Sequence, residues 1–344
     1  MNRTESQDYW LNETVALLTL SQIKGVGYWT MRNLADQKLS FKQVLKAETS
    51  EKFIQYLKLA KARNINQILE IWQSSIIDLW ENAVNLYRDL KNQQIQVLHS
   101  GQQEFPQRLK EIDDSPKWLF IQGNMSILNQ NAISIVGTRN PSEDGKFLVK
   151  YIGSCLTYWK EIVTVSGLAY GIDQNIHEES IRFNIPTIAF LGTGILLNYP
   201  ANSENLRQRI LEKGGAIVSE YLPTDSYSSE NFVRRNRLQA GLANTVIAVE
   251  WKSKSGTAHT IRYAHQAKRQ IICLKLPDWL DLQHPELLMA QEMGAKIFTI
   301  PGQECELIKT IQRSINSTKP ESSSIFANSS KINNYKQLQL NLLD

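Results

Sequence analysis

The chain has 344 residues, 42% hydrophobic and 21% charged, with 17 glycines, 10 prolines and a formal net charge of +4, values close to those of ordinary globular domains. Such a length buries a substantial core in one large or two modest domains, and it excludes a disulfide-stapled miniprotein or a wholly disordered chain. The polar start MNRTESQDYW, with only a short apolar run from Val15 to Leu20 behind it, does not read as a signal peptide, and no stretch approaches the roughly 20 apolar residues of a membrane helix. Cys155, Cys273 and Cys305 are far apart and lack CxxC spacing, and the histidines include no i, i+4 pair. Neither a disulfide framework nor a metal site is expected, and the expected setting is a reducing cytoplasm.

From Leu11 to about Leu90 the sequence reads as short amphipathic helices, few glycines and no alternating β-branched runs. Within it, Leu17-Leu18-x-Leu20, then Ile23-Lys24-Gly25-Val26-Gly27 and Met31-x-x-Leu34, has the layout of two helices joined by a Gly-x-Gly hairpin, a unit that either touches DNA backbone or serves as a packing module. Residues 1–97 are therefore expected to form a small all-α, helix-hairpin-helix-like domain. Residues 98–131 read as a connector docking on the carboxyl-terminal sheet, with Trp118 to Ile121 as an edge strand and with turns at Pro106 and Pro116.

From Ala132 the pattern alternates short apolar strands with helices. Strands are expected at Ala132 to Val136, Ile162 to Val165, Thr187 to Leu191, Ala216 to Ser219, Val246 to Glu250, Ile271 to Lys275 and Lys296 to Thr299. A helix is expected from Gly145 to Trp159. Strands apolar on both faces and joined by crossover helices imply an α/β, doubly wound, mostly parallel Rossmann-like sheet over residues 98–313. The Ser-, Asn- and Gln-rich residues 314–344 are expected to be a disordered tail without a winged helix.

In open parallel sheets ligands bind beyond the carboxyl ends of the strands, and four of the five loops there carry Gly with Ser or Thr. The candidate cradle is Gly137, Thr138, Ser166, Gly167, Gly171, Gly192, Thr193, Ser255, Gly256 and Thr257, small residues whose amides and hydroxyls approach an anion closely. Neither GxxxxGK[ST] nor GxGxxG is present, which disfavours an NTPase and a dinucleotide oxidoreductase. Asn231 to Arg237 packs Arg234, Arg235 and Arg237 behind Phe232, and Trp251 to Lys275 contains six Lys or Arg and no carboxylate. Guanidinium forks bind phosphate and aromatic rings stack bases, so single-stranded nucleic acid suits these residue types.

The loops resemble those of the DNA-processing protein A family, also called DprA or Smf. The resemblance rests on Gly137-Thr138-Arg139, Ser166 to Asp173, Leu191 to Gly194 with Tyr199-Pro200, Ser219 to Tyr221, Asn231 to Arg237, Ala240-Gly241-Leu242, and Val249-Glu250 with Lys254 to Thr257. Upstream, Phe105-Pro106-x-x-Leu109 looks like the family's connector. It implies a protein that binds and protects single-stranded DNA and loads the RecA recombinase in natural transformation, as a homodimer and without a cofactor. It makes Arg139, Arg234, Arg235, Arg237 and Lys254 phosphate ligands and Phe232 a stacking platform. Tyr170 and Val233 depart from the family's usual Arg and Pro.

The competing reading is a nucleotide-derived ligand sensor or a phosphoribohydrolase-like enzyme on the same core. Such enzymes carry a Pro-Gly-Gly-x-Gly-Thr-x-x-Glu loop, whereas Lys254 to His259 offers glycine and hydroxyls with no following Glu. No catalytic residue is assigned: Asp173 reads as a helix cap and His177 as its packing partner, rather than as a proton-sharing pair. At the far end, Gln337 to Leu343 resembles peptides that dock in the bacterial sliding clamp, without their final aromatic.

Overall fold

The computed structural model describes residues 3–280 and 283–317. The amino-terminal part is helical: α1 (Arg3–Gln22), α2 (Tyr28–Asp36), α3 (Phe41–Leu45), α4 (Ser50–Leu59) and α5 (Ile65–Asn92). Residues 13–20 of α1 are buried on every side, so this half of the helix is the centre about which the others pack. The hairpin between α1 and α2 forms as its glycines suggest, with Gly25 at φ +99°. Glu13 reaches across to the start of α3, where its carboxylate accepts from the amides of Phe41 (2.8 Å) and Lys42 (3.2 Å) and from the Ser40 hydroxyl (2.5 Å). A buried carboxylate is thereby satisfied by amides that the helix itself leaves unpaired.

The rest is one nine-stranded sheet. In chain order come β1 (Ile95–His99), α6 (Gln107–Lys110), β2 (Trp118–Gly123), β3 (Asn131–Val136), α7 (Glu143–Leu156), β4 (Ile162–Ser166), α8 (Ile172–Arg182), β5 (Thr187–Phe190), α9 (Glu204–Glu212), β6 (Ala216–Ser219), α10 (Ser229–Leu242), β7 (Thr245–Ala248), α11 (Gly256–Gln266), β8 (Gln270–Lys275), α12 (Pro285–Glu292), β9 (Lys296–Thr299) and α13 (Glu304–Asn316). The spatial order is β1-β2-β6-β5-β4-β3-β7-β8-β9. Every pair from β6 across to β9 is parallel, and β2 is antiparallel to both β1 and β6. Chain progression away from β3 runs one way through β4 and the other through β7, which is the doubly wound arrangement expected from the strand pattern.

Trp118 to Ile121 forms a strand but not an edge. β1 lies outside it, and all four residues are buried. The alternation of β2 explains this: Trp118 and Phe120 pack into the core of the amino-terminal helices, while Leu119 and Ile121 enter the core under the sheet. β1 escapes a reading for apolar runs because it carries Gln96 and ends at His99. Ile95, Leu98 and His99 are buried nonetheless, with the His99 ring stacked on Trp10 of α1 (centroids 5.3 Å apart). The division expected at 97/98 thus falls inside a strand, and α13 continues past residue 313 to Asn316. The remainder of the expected tail, including Gln337 to Leu343, lies outside the described residues. Among the described residues no helix is long and apolar enough to cross a membrane.

Candidate functional site

Because β3 to β7 run in the same direction, the segments at their carboxyl ends open on one edge of the sheet: 137–142, 167–171, 191–200, 220–228 and 249–255. The crevice between β3 and β7, where the order reverses, is held by Glu250. Its carbonyl accepts from Thr138 N–H (2.6 Å), and its carboxylate accepts from the amide (2.9 Å) and hydroxyl (3.1 Å) of Ser142, the N-cap of α7. This carboxylate is a positioning group, where the strand pattern alone reads only a strand end.

α10 runs behind these loops, and its arginines point inward. Arg235 is 3% exposed. Its Nη1 donates to Gly167 O (2.6 Å) and Phe190 O, and with the Gln239 amide turned so that its oxygen faces them, Gln239 accepts from Gly167 N–H and from the same nitrogen. Any Cβ on Gly167 would collide with this guanidinium, so the glycine is required by the arginine packed on it. Arg235 also faces the buried Asp173 in the first turn of α8; burial pushes the Asp173 carboxyl up, opposed by Arg235, the Ser166 hydroxyl and the amides of Ala169 and Gly167.

Arg237, equally buried, grips Glu220 through two bonds of 2.5 and 2.6 Å and meets Asp114 at 2.6 Å. Arg234 bonds Asp114 (2.9 Å), Glu220 (3.2 Å) and the Tyr28 hydroxyl, and its guanidinium lies 4.6 Å from the Trp29 ring centre. Burial alone would raise the Glu220 carboxyl; Arg237 and Arg234 together hold it below its ordinary range. The three arginines are therefore committed to the protein's own carbonyls and carboxylates.

The exposed cations at the edge are Arg139, Lys252 and Lys254, and among the described residues none pairs with a carboxylate. Arg139 lies over the Phe232 ring, 5.6 Å from its centre. Phe232 in turn presses on Gly192, where a Cβ would sit 2.5 Å from its Cδ1. Ser255 is the N-cap residue of α11 and makes no side-chain cap bond, while Gly256 beside it is exposed. Thr138 stays at the edge, half-exposed, its hydroxyl accepting from Asn140 N–H (3.2 Å), whereas other cradle residues serve the interior. Ser166 Oγ donates to Ile135 O (2.7 Å), Thr193 and Thr257 are buried, and Gly171 holds φ +80° against Thr138 O. Gly137 is pressed against Ile172.

His177 does not pair with Asp173. Its Nδ1 lies 2.7 Å from Thr187 Oγ1, and Thr187 bonds Thr164 in turn. Burial, aided by Arg235, pushes His177 down to about 3, so the ring is neutral. Among the described residues no group of three His, Cys, Asp or Glu is placed to hold a metal ion. Tyr199 and Tyr227, which flank Phe232, have no role that the sequence reveals; Tyr227 sits in an irregular loop with no local signal.

A family model described as DNA recombination-mediator protein A matches residues 96–309. Protein Smf of Synechocystis sp. is 31% identical over 285 residues, which make up 80% of this chain and 66% of that protein, so the chain spans just under two thirds of that relative. The X-ray structure of DNA processing protein A from Streptococcus pneumoniae superposes with a TM-score of 0.64 at 25% identity, covering 86% of this chain and 97% of the other. DNA processing protein A from Helicobacter pylori gives 0.55 at 25% identity, over 64% of this chain and 96% of its own.

Proposed function

Since the chain belongs to the DNA recombination-mediator protein A family, we propose that it binds single-stranded DNA without sequence choice along the carboxyl edge of its sheet, and that it shields the strand and delivers it to the RecA recombinase in natural transformation. The Helicobacter pylori relative binds single-stranded DNA. The observation that carries the reading is the trio of exposed cations, Arg139, Lys252 and Lys254, which among the described residues have no carboxylate partner, beside the open start of α11. Cations not neutralised by a carboxylate are available to phosphates, and contacts of that kind give affinity without sequence information.

In this reading Arg139 and Lys254 touch the strand. Arg234, Arg235 and Arg237 hold the loops that present them, a role set by their internal bonds. Binding by positioned cations requires no turnover, and the neutral His177, tied to Thr187, supplies no proton-transfer group. A homodimer would double the number of phosphate contacts on one strand.

The test is fluorescence anisotropy with a labelled oligo-dT and a matched duplex across a salt series. We expect preference for the single strand, and for Arg139→Ala with Lys254→Ala a roughly ten-fold loss at low salt with a slope shallower by about 1.4, two contacts at about 0.7 each. Equal binding of duplex, or a double variant with the parent slope, refutes it. Light scattering after size exclusion reports the dimer, and adding RecA to the bound strand reports delivery.

A further inference from the structure

We infer that Tyr227 is the surface on which a nucleobase of the bound strand stacks, with Tyr199 and Phe232 as its supports; the inference rests on the single-strand reading above. The Phe232 ring already has two neighbours of its own. The Arg139 guanidinium lies 5.6 Å from its centre, and the Tyr199 ring stands 5.1 Å away at 37°. With its edge also against Gly192, Phe232 is only partly open to solvent and offers a base less surface than the exposed Tyr227.

Three rings form a compact cluster here. Tyr199 and Tyr227 lie 4.7 Å apart with planes 30° from parallel, and Tyr227 and Phe232 are 6.4 Å apart at the same angle. Tyr227 is the most open of the three, 58% exposed, whereas Tyr199 and Phe232 are half-buried. A large ring held in the open by two others offers a base an apolar face with little motion left to freeze.

The loop that carries Tyr227 is fixed on both sides. Asp225 accepts through its carbonyl from Gly194 N–H (2.8 Å) and through its carboxylate from Leu222 N–H (3.0 Å). Ser228 caps α10 by accepting from Asn231 N–H (3.0 Å), and the Asn231 side-chain amide donates to Ser226 O (3.4 Å). The ring therefore belongs to the same built edge as Arg139, through Phe232, and the chemistry pairs a phosphate-binding cation with a base-stacking ring.

The experiment uses the full chain and an oligo-dT carrying one 2-aminopurine. A stacked 2-aminopurine loses fluorescence, so wild type should quench it on binding. Tyr227→Ala should abolish most of the quench and weaken binding about ten-fold, the scale of one base–aromatic stack, while leaving the salt slope unchanged because no phosphate contact is lost. Tyr227→Phe, which keeps the ring, should behave as wild type and shows that the hydroxyl is not the determinant.

If wild type binds the strand and Tyr227→Ala binds within two-fold with the same quench, the platform is refuted and the phosphate-edge reading stands. If wild type binds no single strand, both fall. If Tyr227→Ala instead halves the mass seen by light scattering, with quenching intact, the ring is a contact between copies and the platform is overturned.

Discussion

His99 lies under the amino-terminal helices with its Nε2 2.9 Å from Thr14 Oγ1, and burial pushes it down to about 4 from its ordinary 6.5. His177, beneath the loops, is pushed down to about 3. A folded pKa below the unfolded one means that the unfolded chain takes up protons first as pH falls. The stability that each neutral ring confers is therefore complete above about pH 6.5 and is lost on the way down to about pH 4 for His99 and about pH 3 for His177. Between pH 8 and pH 5 each accounts for about 2 kcal/mol. Urea unfolding at those two pH values should show a loss about 2 kcal/mol smaller for His99→Gln than for wild type, and equal losses would rule out the assignment.

At the scale of one element, α10 is a helix whose three arginines face inward. Glu220 is 1% exposed, and its principal partner is the Arg237 fork. Such a pair contributes little net stability over apolar residues of the same shape, yet breaking it from one side leaves a buried charge uncompensated. Arg237→Ala should destabilise by about 3 kcal/mol, and Arg237→Met with Glu220→Gln should recover most of that; a single variant within about 0.5 kcal/mol of wild type would contradict the argument. The cluster of three arginines was legible in the sequence as positive charge, but what neutralises it was not, since the carboxylates of Glu220 and Asp114 lie between 14 and 123 residues away in the chain. Gly192 and Gly167 were legible as loop glycines for the same local reason, while the ring and guanidinium packed on them were not. β3 and β7 were readable because both faces are apolar; β1 was not, because the burial of His99 is supplied by a helix some 85 positions earlier.

For the molecule as a whole, the same distant contacts make the helical part and the sheet one object. Trp118 and Phe120 of β2 are members of the helical core, as is Ile195 from the loop after β5. Asp114 gathers Arg32 of α2 at 2.9 Å together with Arg234 and Arg237 of α10, and Lys117 reaches Asp36 of α2 at 2.8 Å. Asp114 is 44% exposed, so its ion pairs fix orientation more than they stabilise; the apolar seam around Trp118 supplies the cohesion. Two parts that share a core cannot lose one side of it without exposing the other, so unfolding should be a single transition. Calorimetry of the full chain is expected to show one peak, and Trp118→Ala, which empties a fully buried site and should cost about 3 to 5 kcal/mol, is expected to move that peak down undivided. A separate early peak, accompanied by loss of amide protection in α1 to α5 while β3 to β7 stay protected, would instead show that the helices are an independent module resting on the sheet.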